Sequence, residues 1–227
     1  MNLDDGACPA GSPAEASHER PERAFEEAFG GRRVKLVCAS GAEEVLDVQH
    51  WRADADATDR RLFVDPCDGP TLDVGCGPGR LVKALLDQGV DAIGVDASVS
   101  AVRLARARGA LALRRDLFER LPGEGGWRHV LLADGNIGIG GRPVRLLRRA
   151  RQLMADDGLV HVEVAPEGVG LVQEHRRLRV DGILGAPFEW AVVGLDAVER
   201  LAHRAGLEHV DTRHEQDRWV AVLRRRA

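Results

Sequence analysis

No stretch of this 227-residue chain approaches the roughly 20 consecutive apolar residues of a membrane-spanning helix, so there is no candidate for one. The C-x-x-C pair is missing too. Cys8, Cys38, Cys67 and Cys76 lie far apart with no histidine at metal-site spacing, so reduced thiols are expected rather than a zinc site or disulfide framework, and no metal is expected. The opening, "MNLDDGACPAGSPAEASHER", has acids where an export signal needs a basic and then an apolar segment; the expectation is a cytoplasmic protein. Lysine is nearly absent: Lys35 and Lys83 stand alone among 32 basic residues, a bias of genome composition that carries no chemistry. The formal net charge of −4 gives no footprint for nucleic acid, and the arginine clusters "RPVRLLRRAR" and "LRRRA" read as solvated faces.

What is present is the composition of a soluble globular protein, 44% hydrophobic and 30% charged, long enough for one sizeable core with an appendage. The first twenty residues, rich in Pro, Gly, Ser and Ala, should be poorly ordered. "ERPERAFEEAF" then predicts a short lid helix with Phe25 and Phe29 on one face. "RRVKLVCASGAEEVLDVQHW" alternates apolar and polar residues on both sides of "ASGAE" and reads as a hairpin. "RADADATDRR" reads as a polar, helix-prone connection.

From residue 70 the texture becomes a repeat of short apolar run, turn and amphipathic stretch, the rhythm of a parallel sheet with helices on both faces. Strands are predicted at 71–75, 92–96, 111–116, 130–134 and 159–164. Between them lie a helix that stops at Gly89, one capped by Ser98 that stops at Gly109, and one opening at Pro143. Residues 168–193 read as an inserted pair of short strands. "LDAVERLAHRAG" follows as a helix with Asp196 and Glu199 at capping-box spacing and Gly206 as its stop. The chain ends in two strands with a polar turn.

Chemistry concentrates in "LDVGCGPGRL", residues 72–81. A strand ends in Gly75-Cys76-Gly77-Pro78-Gly79 and a helix begins at once, so backbone N–H groups face a ligand at close approach. Asp96 ends the next strand 21 residues after Gly75, where a carboxylate can accept both hydroxyl protons of a ribose. The glycines are spaced G-x-G-x-G, with Arg80 where a dinucleotide fingerprint has its third glycine, which speaks against a nicotinamide-dependent oxidoreductase.

Over roughly residues 70–227 the chain resembles the class I S-adenosylmethionine-dependent methyltransferases: "LDVGCGPG", with Asp73, Gly75, Gly77 and Gly79, is similar to their first motif and "VDAS" to their second. The resemblance implies S-adenosyl-L-methionine as cofactor and an α/β, Rossmann-like three-layer sandwich with a seven-stranded, mostly parallel sheet whose last strand is antiparallel. It places the ribose on Asp96, the adenine against Ala97, Asp116 and Leu117, and the methionine part beside Ala133 and Asp134, with Cys76 inside the first motif. The chain accordingly reads as residues 1–65 (tail, lid helix and hairpin) and 66–227 (cofactor domain), with the 168–193 insertion, outside the cofactor motifs, on the acceptor side.

"ADGNIGIGGRP", 133–143, then falls at the crevice. Gly135, Gly138, Gly140 and Gly141 allow close approach, Asn136 offers a hydrogen bond to cofactor or acceptor, and the helix from Pro143 would aim its N–H groups at the same space. Gly135, Asn136 and Trp51 are the candidate acceptor-binding residues; Trp51 and Trp190 either line an apolar pocket or fill core. Candidate proton acceptors are Glu163, His50 and His175, with Glu167 near the same sheet edge; Glu163 could equally pair with an arginine. The loop lacks the "[DN]-P-P-[YFW]" pattern of enzymes that methylate amino groups of bases or glutamine. The expectation is methyl transfer to a small-molecule acceptor. The alternative is a non-catalytic S-adenosylmethionine-binding or partner-binding module.

Overall fold

The computed structural model describes residues 21–226, so Cys8 and the tail reading lie outside the described residues. The chain enters through α1 (Pro21–Phe29), the hairpin β1 (Val34–Val37) and β2 (Glu43–Val45), then α2 (Val48–Arg52) and α3 (Ala57–Asp59), which runs into a π-helical turn at Arg60–Val64. Alternating units follow: β3 (Thr71–Val74), α4 (Arg80–Asp87), β4 (Ala92–Asp96), α5 (Val99–Ala107), β5 (Ala112–Arg114), β6 (Trp127–Leu132), α6 (Pro143–Leu153) and β7 (Met154–Val164). The remainder is β8 (Leu171–Val180), β9 (Ile183–Leu184), β10 (Phe188–Val193), α7 (Leu195–Ala205), β11 (Leu207–Glu215) and β12 (Arg218–Arg225).

Seven strands form the main sheet in the order β11-β12-β7-β6-β3-β4-β5. β3 to β7 are parallel, while β12 runs antiparallel to β7 and β11 antiparallel to β12. Side-chain alternation divides the core: Leu72, Val74, Val130 and Leu132 pack on α6 and α7, whereas Leu131, Ala133 and Val220 pack with α4, α5 and the π turn. That makes three layers. Ser98 accepts from the Ala101 amide and caps α5, and Gly89, Gly109 and Gly206 take left-handed φ at the helix stops.

The second sheet joins segments far apart in sequence, in the order β10-β8-β1-β2, with β9 also paired to β8. β1 aligns on β8 from Val34↔Val180 to Val37↔Arg177, so the N-terminal hairpin and the insertion are one unit. Its inner face packs with α1 and α5 through Phe29, Val34, Leu36, Ala101, Leu178 and Val180. The Glu26 carboxylate accepts from the Val99 N–H at 2.9 Å and ties α1 to the first turn of α5.

Three local readings need correction. Val48–Arg52 is helical rather than part of the hairpin, because Asp47 accepts from the His50 amide and turns the chain. The insertion holds a ten-residue strand and two shorter ones rather than a short pair. α7 starts two residues early: Gly194 rather than Asp196 is its N-cap, and Asp196 accepts instead from the Gly168 and Gly170 amides at 3.1 and 3.2 Å.

Candidate active site

The C-terminal ends of the parallel strands open into a cavity of about 930 Å³, roofed by α1 and the inner face of the second sheet. Gly75, Cys76, Gly77, Pro78, Asp96, Ala97, Asp116 and Leu117 line one half of it. Gly75, Gly77 and Gly79 all adopt positive φ, at 73°, 53° and 79°. A Cβ at Gly77 would meet nothing within 4 Å, which leaves an open cradle over the bend. The Asp96 carboxylate accepts from the Gly77 N–H (2.9 Å, Oδ2) and the Ser98 N–H (2.8 Å, Oδ1), fixing it at the rim with one lone pair on each oxygen free. Burial holds its carboxyl above the usual range, and the amide bonds oppose that.

Three residues assigned to the cofactor do not line the cavity. A Cβ at Gly79 would sit 2.8 Å from Ala105 Cβ and 2.9 Å from Ala110 Cβ, so this glycine serves the packing of α4 against α5. Ala133 is buried at the end of β6. Asp73 lies beneath the bend, where burial first, and then Asp134, Asp96 and Asp59, raise its carboxyl to about 7 against the pull of Arg80.

Beside the bend runs a buried charge network that the sequence did not reveal. Arg80 grips Asp59 through Nε (2.8 Å) and Nη2 (3.0 Å), and Asp134 through Nη1 (2.6 Å) and Nη2 (2.8 Å). Arg218 grips Glu163 through Nε (2.8 Å) and Nη2 (2.9 Å) and returns to Asp59 through Nη1 (2.7 Å). Burial alone would raise the Asp59 carboxyl; the two guanidiniums outweigh it and bring it down to about 2. The Asp134 N–H donates to Glu163 at 2.7 Å, and Asp134 itself sits at φ 51°, a left-handed conformation uncommon outside glycine.

The other half of the cavity is aromatic. Phe25, Phe29, Trp51, Phe188 and Trp190 line it, five of the nine aromatic rings in a chain with five Phe, four Trp and no Tyr. Phe29, Trp51, Phe25, Phe188 and Trp190 form a continuous row with neighbouring centroids 6.1 to 6.5 Å apart. The glycine loop holds the row in place: a Cβ at Gly138 would lie 2.2 Å from the Ala191 carbonyl oxygen and 2.6 Å from the Trp190 ring. Gly135 and Asn136 line the cavity, but the Asn136 amide donates to the Val74 (2.9 Å) and Gly75 (3.0 Å) carbonyls, which commits both its N–H groups to the bend and leaves only Oδ1 free. The lining stops at Gly140, short of the α6 N-terminus.

Of the candidate bases, Glu163 alone lines the cavity, and both its oxygens already accept hydrogen bonds. His175 is exposed on the outer face of β8, and His50 and Glu167 also lie outside the lining.

Residues 71–158 match the sequence family described as methyltransferase domain. The fold of the chain is similar to that of a SAM-dependent methyltransferase from Bacteroides fragilis in complex with S-adenosyl-L-homocysteine (TM-score 0.75, 21% identity, 95% of this chain and 98% of that one). It also resembles the 1,6-didemethyltoxoflavin N1-methyltransferase of Burkholderia thailandensis with bound 1,6-didemethyltoxoflavin and S-adenosylhomocysteine (0.59, 18%, 98% and 94%). A third similar structure is an O-methyltransferase from neocarzinostatin biosynthesis with S-adenosyl-L-homocysteine and 1,4-dihydroxy-2-naphthoic acid (0.52, 22%, 69% and 49%). No curated protein matches the chain.

The fold also brings Cys67 to His129 and His161, with donor atoms within 4.8 Å of one another. Sequence spacing did not show this cluster. Arg213 Nη1 donates to His161 Nδ1 at 3.0 Å, so His161 Nε2 carries the proton and donates to His129 Nδ1 at 2.9 Å, and His129 Nε2 meets Asp68 at 2.9 Å. The Cys67 thiol donates to the Phe63 carbonyl at 3.0 Å. Burial lowers both imidazoles, His161 strongly, and raises the Cys67 thiol to about 12. The two imidazoles are thus satisfied as neutral groups between Arg213 and the exposed Asp68, and the thiol by the Phe63 carbonyl. Among the described residues no helix is long and apolar enough to cross a membrane.

Proposed function

We propose that this chain is an S-adenosyl-L-methionine-dependent methyltransferase acting on a small-molecule acceptor, with residues 66–227 as the cofactor domain and the N-terminal segment and 168–193 insertion forming the acceptor side. One observation carries the reading: a single cavity runs without a break from the Gly75–Asp96 edge to the aromatic row. The bound cofactor supplies a methyl group already activated by its sulfonium.

The residues present fit that cofactor. The free lone pairs of Asp96 suit a ribose diol, the open cradle at Gly77 admits a nucleoside against the backbone, and Ala97, Asp116 and Leu117 form a rim for the base. Asp134 and Glu163 lie at the far end of this half, held by Arg80 and Arg218. The chain's contribution to transfer is alignment and exclusion of water by the second sheet. Glu163 acts as a positioning residue, since both its oxygens are taken up by Arg218 and the Asp134 amide. A non-catalytic module would gain weight from a closed pocket beside Asn136; the cavity there is open. Similar structures with bound 1,6-didemethyltoxoflavin or 1,4-dihydroxy-2-naphthoic acid support a small acceptor here.

Incubating the purified chain with methyl-labelled cofactor and a panel of small aromatic phenols, acids and amines should give a methylated product from at least one. Tight cofactor binding with no turnover on any of them would favour the non-catalytic reading.

A further inference from the structure

Three arginines line the cavity. Arg80 has its donors committed to Asp59 and Asp134, and Arg115 is exposed to solvent at the cofactor half, where it donates to the Arg114 carbonyl. Arg176 differs. It projects from β8 into the acceptor half, its Nε donates to Glu174 at 2.7 Å, and among the described residues its Nη1 and Nη2 have no hydrogen-bond partner. Its side chain is only 14% exposed. Arg176 and Phe188 are register partners on β8 and β10, as are Glu174 and Trp190, so the guanidinium stands directly beside the aromatic row.

Resting on the methyltransferase reading above, we infer that Arg176 is an acceptor-binding residue and that the acceptor is a flat aromatic molecule bearing a carboxylate. A guanidinium presents parallel N–H donors that match the two oxygens of a carboxylate, and a half-buried one with a free terminal pair gains most from such a partner. The rings supply the planar surface: an acceptor lying along Trp51, Phe188 and Trp190 buries its faces while its acid reaches Arg176. Glu44 and Glu189 also line the cavity, but both are solvent-exposed at its mouth, where water screens them, and Glu189 faces Arg142 at 3.7 Å.

Calorimetry on the full chain saturated with S-adenosyl-L-homocysteine tests this with three probes of one shape: 2-naphthoate, 2-naphthamide and 2-naphthylmethylamine. The expected result is 2-naphthoate binding roughly 10- to 100-fold more tightly than the amide, the range for hydrogen bonds to a charged partner. Arg176→Gln should erase that preference and Arg176→Lys keep part of it, with S-adenosyl-L-homocysteine affinity retained in both as the check on folding. Equal binding of acid and amide, a preference for the amine, a preference that survives Arg176→Gln, or no binding of any naphthyl probe would each overturn the inference. If S-adenosyl-L-homocysteine itself fails to bind the wild-type chain, the cofactor reading fails instead, so the two failures are separable.

Discussion

Burial raises the carboxyls of both Asp59 and Asp73, yet they end shifted in opposite directions because only Asp59 holds two arginines. Asp59, brought down to about 2, contributes stability that is present above its ordinary pKa and lost as pH falls through about 2. Asp73, raised to about 7, does the reverse: its contribution is present below its ordinary pKa and lost as pH rises through about 7. Asp73→Asn should therefore gain stability relative to wild type between pH 4 and 7, by about 1.4 kcal/mol per pH unit at most, and level off above. Denaturant unfolding at several pH values measures this, and a pH-independent difference between the two proteins would contradict it. Arg80→Met should destabilise by about 3–5 kcal/mol, since it leaves the buried Asp59 and the half-buried Asp134 with only Arg218 for company. Residue chemistry of this kind was only partly legible. Asp96 stands out because a strand-end acid follows a glycine bend at a fixed spacing, whereas Asp59, Arg80 and Arg218 belong to three distant segments and carry no shared local signal. Arg176 was invisible for the same reason.

At the scale of elements, the repeating strand–helix units were readable because each strand and helix carries its own period and its own cap or stop. The second sheet was readable only in pieces. β1 and β8 pair across some 140 residues, and neither strand's alternation names its partner. The capping box at Asp196 failed because a competing set of amides, Gly168 and Gly170, claims that carboxylate. The glycine loop illustrates the same competition. It was expected to wall the pocket, and Gly135 and Gly140 do so, but Gly138 and Gly141 exist to let β10 dock. Gly138→Ala should thus cost roughly 1–3 kcal/mol as an overpacking change and displace Trp190. A shift in indole fluorescence together with weaker binding of an aromatic acceptor would report it; an unchanged spectrum and stability would show that β10 does not depend on that contact.

At the scale of the whole molecule, the two sheets divide the labour. The seven-stranded sheet presents a nucleoside-sized edge, and the smaller sheet with α1 closes an aromatic chamber over it. Few aromatics in the composition gave no hint that most of them would meet in one place; only the long-range pairing of the hairpin with the insertion gathers them. Asp96 links this architecture to its function, because its carboxylate is fixed beside the glycine bend by the Gly77 and Ser98 amides and still has lone pairs to offer a ribose. The most direct measurement is calorimetric titration of the purified, ligand-free chain with S-adenosyl-L-homocysteine, beside the Asp96→Ala variant. A single saturable site is predicted, weakened by about 1–3 kcal/mol in the variant. No heat with either that nucleoside or S-adenosyl-L-methionine, or an affinity indifferent to Asp96, would contradict the account.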